Sequence, residues 1–105
     1  MKEPSIQYAK TSDGVNIAYF TLGEGPPLVR LGLYPGAAQS HMYSYLPEYR
    51  ALLEELARAL KLILIDFRGT AHSQRTVSDF SGDSLVLDVE SVVDRLGLDA
   101  FALGF

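Results

Sequence analysis

An α/β fold is predicted by three observations. Short runs rich in β-branched and aromatic residues alternate with two segments of helical periodicity. An Asp-Gly turn joins the first two runs, Asp13-Gly14. A uniformly apolar stretch, Leu62 to Asp66, lies between the two helical segments, and its length and composition suit a buried parallel strand. The order is strand, strand, strand, helix, strand, helix, strand, which argues for one sheet with right-handed crossovers.

Ile6 to Lys10 and Val15 to Thr21 read as an antiparallel hairpin around Thr11-Ser12-Asp13-Gly14. Gly23-Glu24-Gly25-Pro26-Pro27 breaks the chain before a third strand, Leu28 to Leu31, which ends at Gly32. Leu33 to Tyr45 reads as a loop with Pro35-Gly36 and tyrosines at 34, 43 and 45. These rings could line a pocket or anchor the loop, each packing a ring while its hydroxyl stays wet. A helix starts at Pro47, where a missing N–H costs nothing. Tyr49, Leu52, Leu53, Leu56, Ala57 and Leu60 share one of its faces, and Glu54, Glu55 and Arg58 the other. Phe67 to Phe80 reads as a polar loop. Ser81 is the expected N-cap of a second helix with Leu85, Val89, Val92, Val93 and Leu96 as its stripe. Asp83, Asp88, Glu90 and Asp94 lie off that stripe and read as a solvated face. Gly97 followed by Leu98 reads as a left-handed cap with its hydrophobic contact. Ala100 to Leu103 is the last strand. Both helical crossovers are expected to be right-handed. Ala100 to Leu103 then forms an open edge on which self-association is expected.

Composition narrows the function. The chain has 105 residues, enough for one small domain. A net charge of −4 with scattered lysines and arginines gives no basic patch, which argues against nucleic acid as a partner. No apolar run approaches the length of a membrane span. The absence of cysteine excludes disulfides and thiolate metal sites, and two histidines with dispersed carboxylates do not suggest a metal centre. Met1-Lys2-Glu3-Pro4-Ser5 has no apolar core of a leader, and a cytoplasmic location is expected. Gly23-x-Gly25 and Gly32…Gly36 lack the Gly-Lys-Ser/Thr ending of a phosphate loop.

Leu62-Ile63-Leu64-Ile65-Asp66 followed by Phe67-Arg68-Gly69-Thr70-Ala71-His72-Ser73 is an apolar strand leading into Asp-x-Arg-Gly-x-x-x-Ser. This resembles the fourth-strand signature of α/β-hydrolases. Lys10 to Gly14 with Ile17-Ala18-Tyr19 resembles the first hairpin of that family, Leu22 to Val29 its approach to the third strand, and Val86 to Leu98 the helix before its nucleophile strand. The wording is similar to hydrolase domains that occur alone or fused to bacterial signalling modules such as nucleotide cyclases. The resemblance implies an N-terminal, partial α/β-hydrolase domain over residues 1–105, with sheet order 1-2-4-3-5, an antiparallel hairpin, three parallel strands and one helix on each face. In the family the next strand delivers Gly-x-Ser-x-Gly, which exposes the nucleophilic serine. Gly104-Phe105 resembles the Gly-x of that turn, so the nucleophile, the acid and the histidine are all expected beyond residue 105.

The implied reaction of a full-length relative is hydrolysis of an ester, amide or similar bond through an acyl-serine, without a cofactor. No catalytic residue is expected within the chain, and the isolated chain is expected to be inactive. A small-molecule substrate is expected only after completion by a C-terminal half. The resemblance places Gly32, Leu33, Gly36, Ala37 and His41 near the substrate, in the oxyanion loop. Leu33 and Ala37 both qualify as the N–H donor. Ala71 stands where the family carries a second glycine, and alanine suits a tight turn there only at negative φ. Ser40 or Ser73 with His41 or His72 is a far weaker candidate site, because adjacency does not orient a base. Asp66 reads as a carboxylate tying down the following turn, with Arg68 or backbone N–H groups. The rival reading of the whole chain is a non-catalytic binding or assembly module, pairing with itself or with a separate C-terminal half.

Overall fold

The computed structural model describes residues 5–30, 39–74, 77 and 81–104. Five strands form a single sheet: β1 (Gln7–Lys10), β2 (Asn16–Leu22), β3 (Pro27–Arg30), β4 (Lys61–Asp66) and β5 (Ala102–Gly104). Their spatial order is β1-β2-β4-β3-β5, as expected. β2 is antiparallel to both β1 and β4, while β3, β4 and β5 run parallel. The register sets Ala18 opposite Asp66 and Arg30 opposite Leu64.

Side chains alternate across β4 and sort the core into two layers. Ile63 and Ile65 join Ile17, Tyr19, Val29 and Val92 on the face covered by α3 (Gly82–Leu96). Leu62 and Leu64 join Phe20, Leu22, Leu53 and Ala57 beneath α2 (Pro47–Leu56). The crossovers therefore place their helices on opposite faces. α3 begins at Ser81, whose hydroxyl accepts from the Ser84 N–H at 3.2 Å, and ends at Gly97 with φ +66°. Leu98 N–H closes that cap on the Val93 carbonyl, and its side chain packs on the same core layer.

Several sequence expectations are corrected. The stretch from Leu33 to Tyr45 is not wholly a loop, because residues 39–45 form a short helix, α1 (Gln39–Tyr45). Seven residues hold a helix only with tertiary support. Here the Tyr43 ring is buried 5.3 Å from that of Phe20. Tyr43 is thus a core residue, while Tyr45 is exposed. Leu52 is half exposed, on the rim of the apolar face assigned to it. The last strand starts at Ala102, two residues later than expected. Within the expected loop after β4, Phe67, Arg68 and Ser73 are buried. Asp88 belongs to no solvated face: with Ser84, Ser91 and Val92 it forms the buried seam of α3. Its partner, Arg68, explains why.

Gly23 has φ +77°, and a Cβ there would lie 2.2 Å from the Ala57 carbonyl oxygen. The breaker cluster therefore lets the β2–β3 turn pack against the backbone that ends α2. Ala71 has φ +42°, contrary to the expected negative value. Alanine occupies the left-handed conformation that glycine would adopt without strain.

Candidate functional site

The polar groups of interest gather at the carboxyl ends of β3 and β4, where open α/β sheets place their ligands. Asp66, the last residue of β4, is 1% exposed. Its Oδ1 accepts the Ser40 backbone N–H at 2.9 Å, and its Oδ2 accepts the Ser40 hydroxyl at 2.6 Å. The backbone N–H of His72 approaches Oδ2 at 3.4 Å. Asp66 does tie down the following turn, but its second anchor is the start of α1 rather than Arg68.

The structure brings a serine, a histidine and an aspartate together in Ser40, His72 and Asp66. The His72 Nδ1 lies 2.8 Å from the Ser40 Oγ and 3.8 Å from the Asp66 carboxylate. The wiring differs from that of an acyl-transfer triad. A catalytic histidine accepts the serine proton on one ring nitrogen and donates to the acid from the other. Here the Ser40 proton goes directly to Asp66. The short contact to His72 then requires Nδ1 to be the donor, so this nitrogen cannot take the serine proton. Ser40 is also buried, at 3% exposure. The cluster is a clamp between α1 and β4.

Ser73 is equally committed. Its hydroxyl donates to the Asp66 carbonyl and accepts the Ala18 N–H at 2.7 Å, pinning the turn to β2. The alanine at position 71 is held inside this closed turn, where Thr70 N–H and hydroxyl both return to the Phe67 carbonyl.

Arg68 carries the strongest charge pairing. Its Nε and Nη2 lie 2.9 and 2.8 Å from Asp88 Oδ1, and its backbone N–H donates to Asp88 Oδ2 at 2.9 Å. Nη1 donates to Asp13 Oδ2 at 2.8 Å. Asp13 sits in the β1–β2 turn, where Thr11 also donates to it. Hydrogen bonds from Arg68 first, then Thr11, hold the Asp13 carboxyl at about 2 against an ordinary 3.8. The guanidinium is held charged still more firmly than usual, through Asp13 and then Asp88 against the cost of burial. Three segments far apart in sequence are thereby locked together below the candidate site.

A second polar relay lies on the α2 side. Arg30 ends β3 and donates from Nε to the Tyr49 hydroxyl at 3.2 Å, with its guanidinium 5.6 Å from the ring centre. Tyr49 donates in turn to Gln39 Oε1. Gln39 was not singled out from the sequence. A lone glutamine in a loop carries no spacing signal, and its burial depends on a helix that the periodicity did not show. The sequence-predicted residues Gly32, Leu33, Gly36 and Ala37 lie outside the described residues, as does Tyr34. His41 falls in α1, with its side chain outside the described set. On the opposite face, a groove of about 320 Å³ runs between β1 and α3, lined by Lys10, Glu90, Asp94 and Arg95 among others. Its charges are of both signs. Among the described residues no three histidine or acidic side chains converge as a metal site, and no helix is long and apolar enough to cross a membrane.

No family model matches the chain. A soluble epoxide hydrolase of Corynebacterium sp. (strain C12) is 32% identical over 87 residues, spanning 83% of this chain and 28% of that protein. An esterase from Rhodococcus sp. ECU1013 superposes with a TM-score of 0.76 at 29% identity, covering 94% of this chain and 35% of the esterase. An epoxide hydrolase mutant from Vigna radiata superposes at 0.75 with 24% identity, over 98% of this chain and 30% of the enzyme. The chain thus spans about a third of the length of the proteins it matches.

Proposed function

Because this chain carries a partial α/β-hydrolase fold, we propose that it is the N-terminal portion of a hydrolase, supplying the sheet and the substrate-facing surface but no nucleophile. The reaction is hydrolysis of an uncharged small molecule with an electrophilic carbon bound to oxygen. Esters and epoxides both meet that description, and attack on either builds negative charge on oxygen. The nucleophile, a serine where the substrate is an ester, and its two partners belong to residues outside these 105.

One observation carries the reading. Ser40 and Ser73, the serines nearest the carboxyl ends of the sheet, are buried and spend their protons on Asp66. A serine is activated by an oriented base that accepts its proton. The arrangement offers each hydroxyl a carboxylate or carbonyl instead. Labelling with a fluorophosphonate, read by intact mass, tests this. The 105-residue chain should acquire no serine adduct, and stoichiometric modification of Ser40 or Ser73 would refute the proposal.

The second reading, an assembly module, draws on the sheet edge. β5 pairs with β3 on one side, and Phe101 and Leu103 are exposed beside it. An exposed apolar edge is a template for pairing. Sedimentation at micromolar concentration separates the two readings. A defined dimer lost on Leu103→Lys favours assembly, and a monomer removes self-pairing from this alternative.

A further inference from the structure

β1 ends the sheet order, with β2 on one side and no strand on the other among the described residues. The β1–β2 ladder shows which groups lie on the open side. Thr11 N–H donates to the Val15 carbonyl at 2.9 Å, so these two residues form a bonded pair. Bonded pairs alternate along an antiparallel ladder, which makes Ala9 with Ile17 and Gln7 with Tyr19 the next ones. Tyr8 and Lys10 therefore turn their N–H and C=O groups outward. β2 agrees: their partners Ala18 and Asn16 face away from β1, donating to the Ser73 hydroxyl at 2.7 Å and the Gln74 side chain at 3.1 Å. Beside this edge lies the groove of about 320 Å³ between β1 and α3. Ala9 and Ser91 in its lining are buried, and Leu87 is half-buried. Ala9 faces α3, since it shares a core layer with Val92. From α3 the groove receives Glu90 and Asp94, one helical turn apart. Both are exposed, and neither has an ion pair among the described residues. Like charges at that spacing repel, so a cation between them is favoured.

We propose that the β1 edge and this groove together form a docking site for an extended peptide segment, bound by strand addition with one lysine or arginine turned toward α3. An antiparallel strand bonded to Tyr8 and Lys10 sets its intervening residue opposite Ala9. Opposite residues share a face, so that side chain enters the groove. The small Ala9 leaves room for a long stem over Leu87, and the cationic head meets Glu90 and Asp94. Lys10 and Arg95 also line the groove, so a single basic residue between neutral neighbours fits and a polybasic run does not. A second copy of this chain fits less well. The β1 residues on the α3 face are Gln7 and Ala9, and neither carries a charge to answer Glu90 and Asp94. The site lies on the sheet face opposite α2, and it stands independently of the hydrolase reading.

The probe is acetyl-Thr-Val-Arg-Val-Thr-amide, titrated into the ¹⁵N-labelled 105-residue chain. Backbone amide shifts and hydrogen exchange are read at Tyr8, Ala9 and Lys10. Saturable shifts are expected, with slower exchange at Tyr8 and Lys10 and little change at Ala9, which is already bonded to Ile17. Methylating both valine nitrogens removes the donors to the edge, and replacing the arginine by glutamate removes the cation. Each change should abolish saturation at millimolar peptide, and neither alters the protein. Glu90→Gln combined with Asp94→Asn should weaken binding about fivefold, the worth of two exposed ion pairs. Equal binding of the arginine and glutamate peptides, undiminished binding of the N-methylated peptide, or no binding at all would overturn the assignment. Concentration-dependent protection of Tyr8 and Lys10 without peptide would overturn it in favour of a second copy.

Discussion

Replacing Asp88 with alanine isolates the buried charge of Arg68. The guanidinium is 1% exposed and loses its contacts to Asp88 at 2.8 and 2.9 Å, and the Arg68 backbone N–H loses its acceptor as well. Asp13 still holds the far side of the fork at 2.8 Å, so the charge is not wholly unpaired. Removing one partner of a buried pair costs about 3–5 kcal/mol, and the retained Asp13 contact places this case near 3. Domains of this size are stable by about 5–15 kcal/mol, so the variant should sit close to unfolding. Urea denaturation followed by circular dichroism reads the change. With a slope of about 1 kcal/mol per molar, the midpoint should fall by about 3 M, or the cooperative transition should vanish. A second variant separates charge burial from lost packing. Asp88→Leu combined with Arg68→Met replaces the pair with apolar volume, and should lose less than the single alanine change. A loss below about 1 kcal/mol for Asp88→Ala, or a double variant worse than the single, would refute the reasoning.

The Asp13 carboxyl is depressed to about 2 in the folded chain. Its stabilising effect is therefore complete above its ordinary 3.8 and is lost as pH falls through about 2, so the urea midpoint should drop across that window. Asp13→Asn should flatten that part of the pH profile. Ala71→Gly should stabilise the chain by about 0.5–1 kcal/mol, the relief of a left-handed alanine less the added freedom of the unfolded glycine. Thermal melting decides it, and a destabilised variant would show that the positive φ at position 71 is not a strain. Gly23→Ala should lose about 3 kcal/mol, combining the positive φ with a Cβ driven into the Ala57 and Leu60 carbonyls. An unchanged melting temperature would contradict that packing.

Much of the architecture was legible because local chemistry and global topology agree. The Asp13-Gly14 turn, the Ser81 cap, the Gly97 stop and the apolar β4 each announce themselves within a few residues. Strand order came from the family resemblance, with the crossovers supporting its parallel part. What escaped depends on contacts between distant segments. Asp88 looked outward by periodicity, yet the buried Arg68, twenty residues earlier, draws it into the seam of α3. α1 is too short to declare itself and is held by Tyr43 in the core and Ser40 on Asp66. The expectation for Ala71 followed the preference of alanine, and the closed turn between Phe67 and Ser73 overrode it. The Ser40, His72 and Asp66 cluster shows the converse. Residue types associated with catalysis come together, and only the direction of each proton tells a clamp from an active site.

The central claim is that these residues form scaffold and substrate-facing surface without a working nucleophile. Release of nitrophenolate from p-nitrophenyl acetate by the 105-residue chain, beside its Ser40→Ala and Ser73→Ala variants, tests it most directly. The account predicts no catalytic turnover above the uncatalysed rate and three indistinguishable traces. Sustained turnover by the parent chain that disappears in Ser40→Ala or Ser73→Ala would contradict it, and would turn the clamp on Asp66 into a catalytic site.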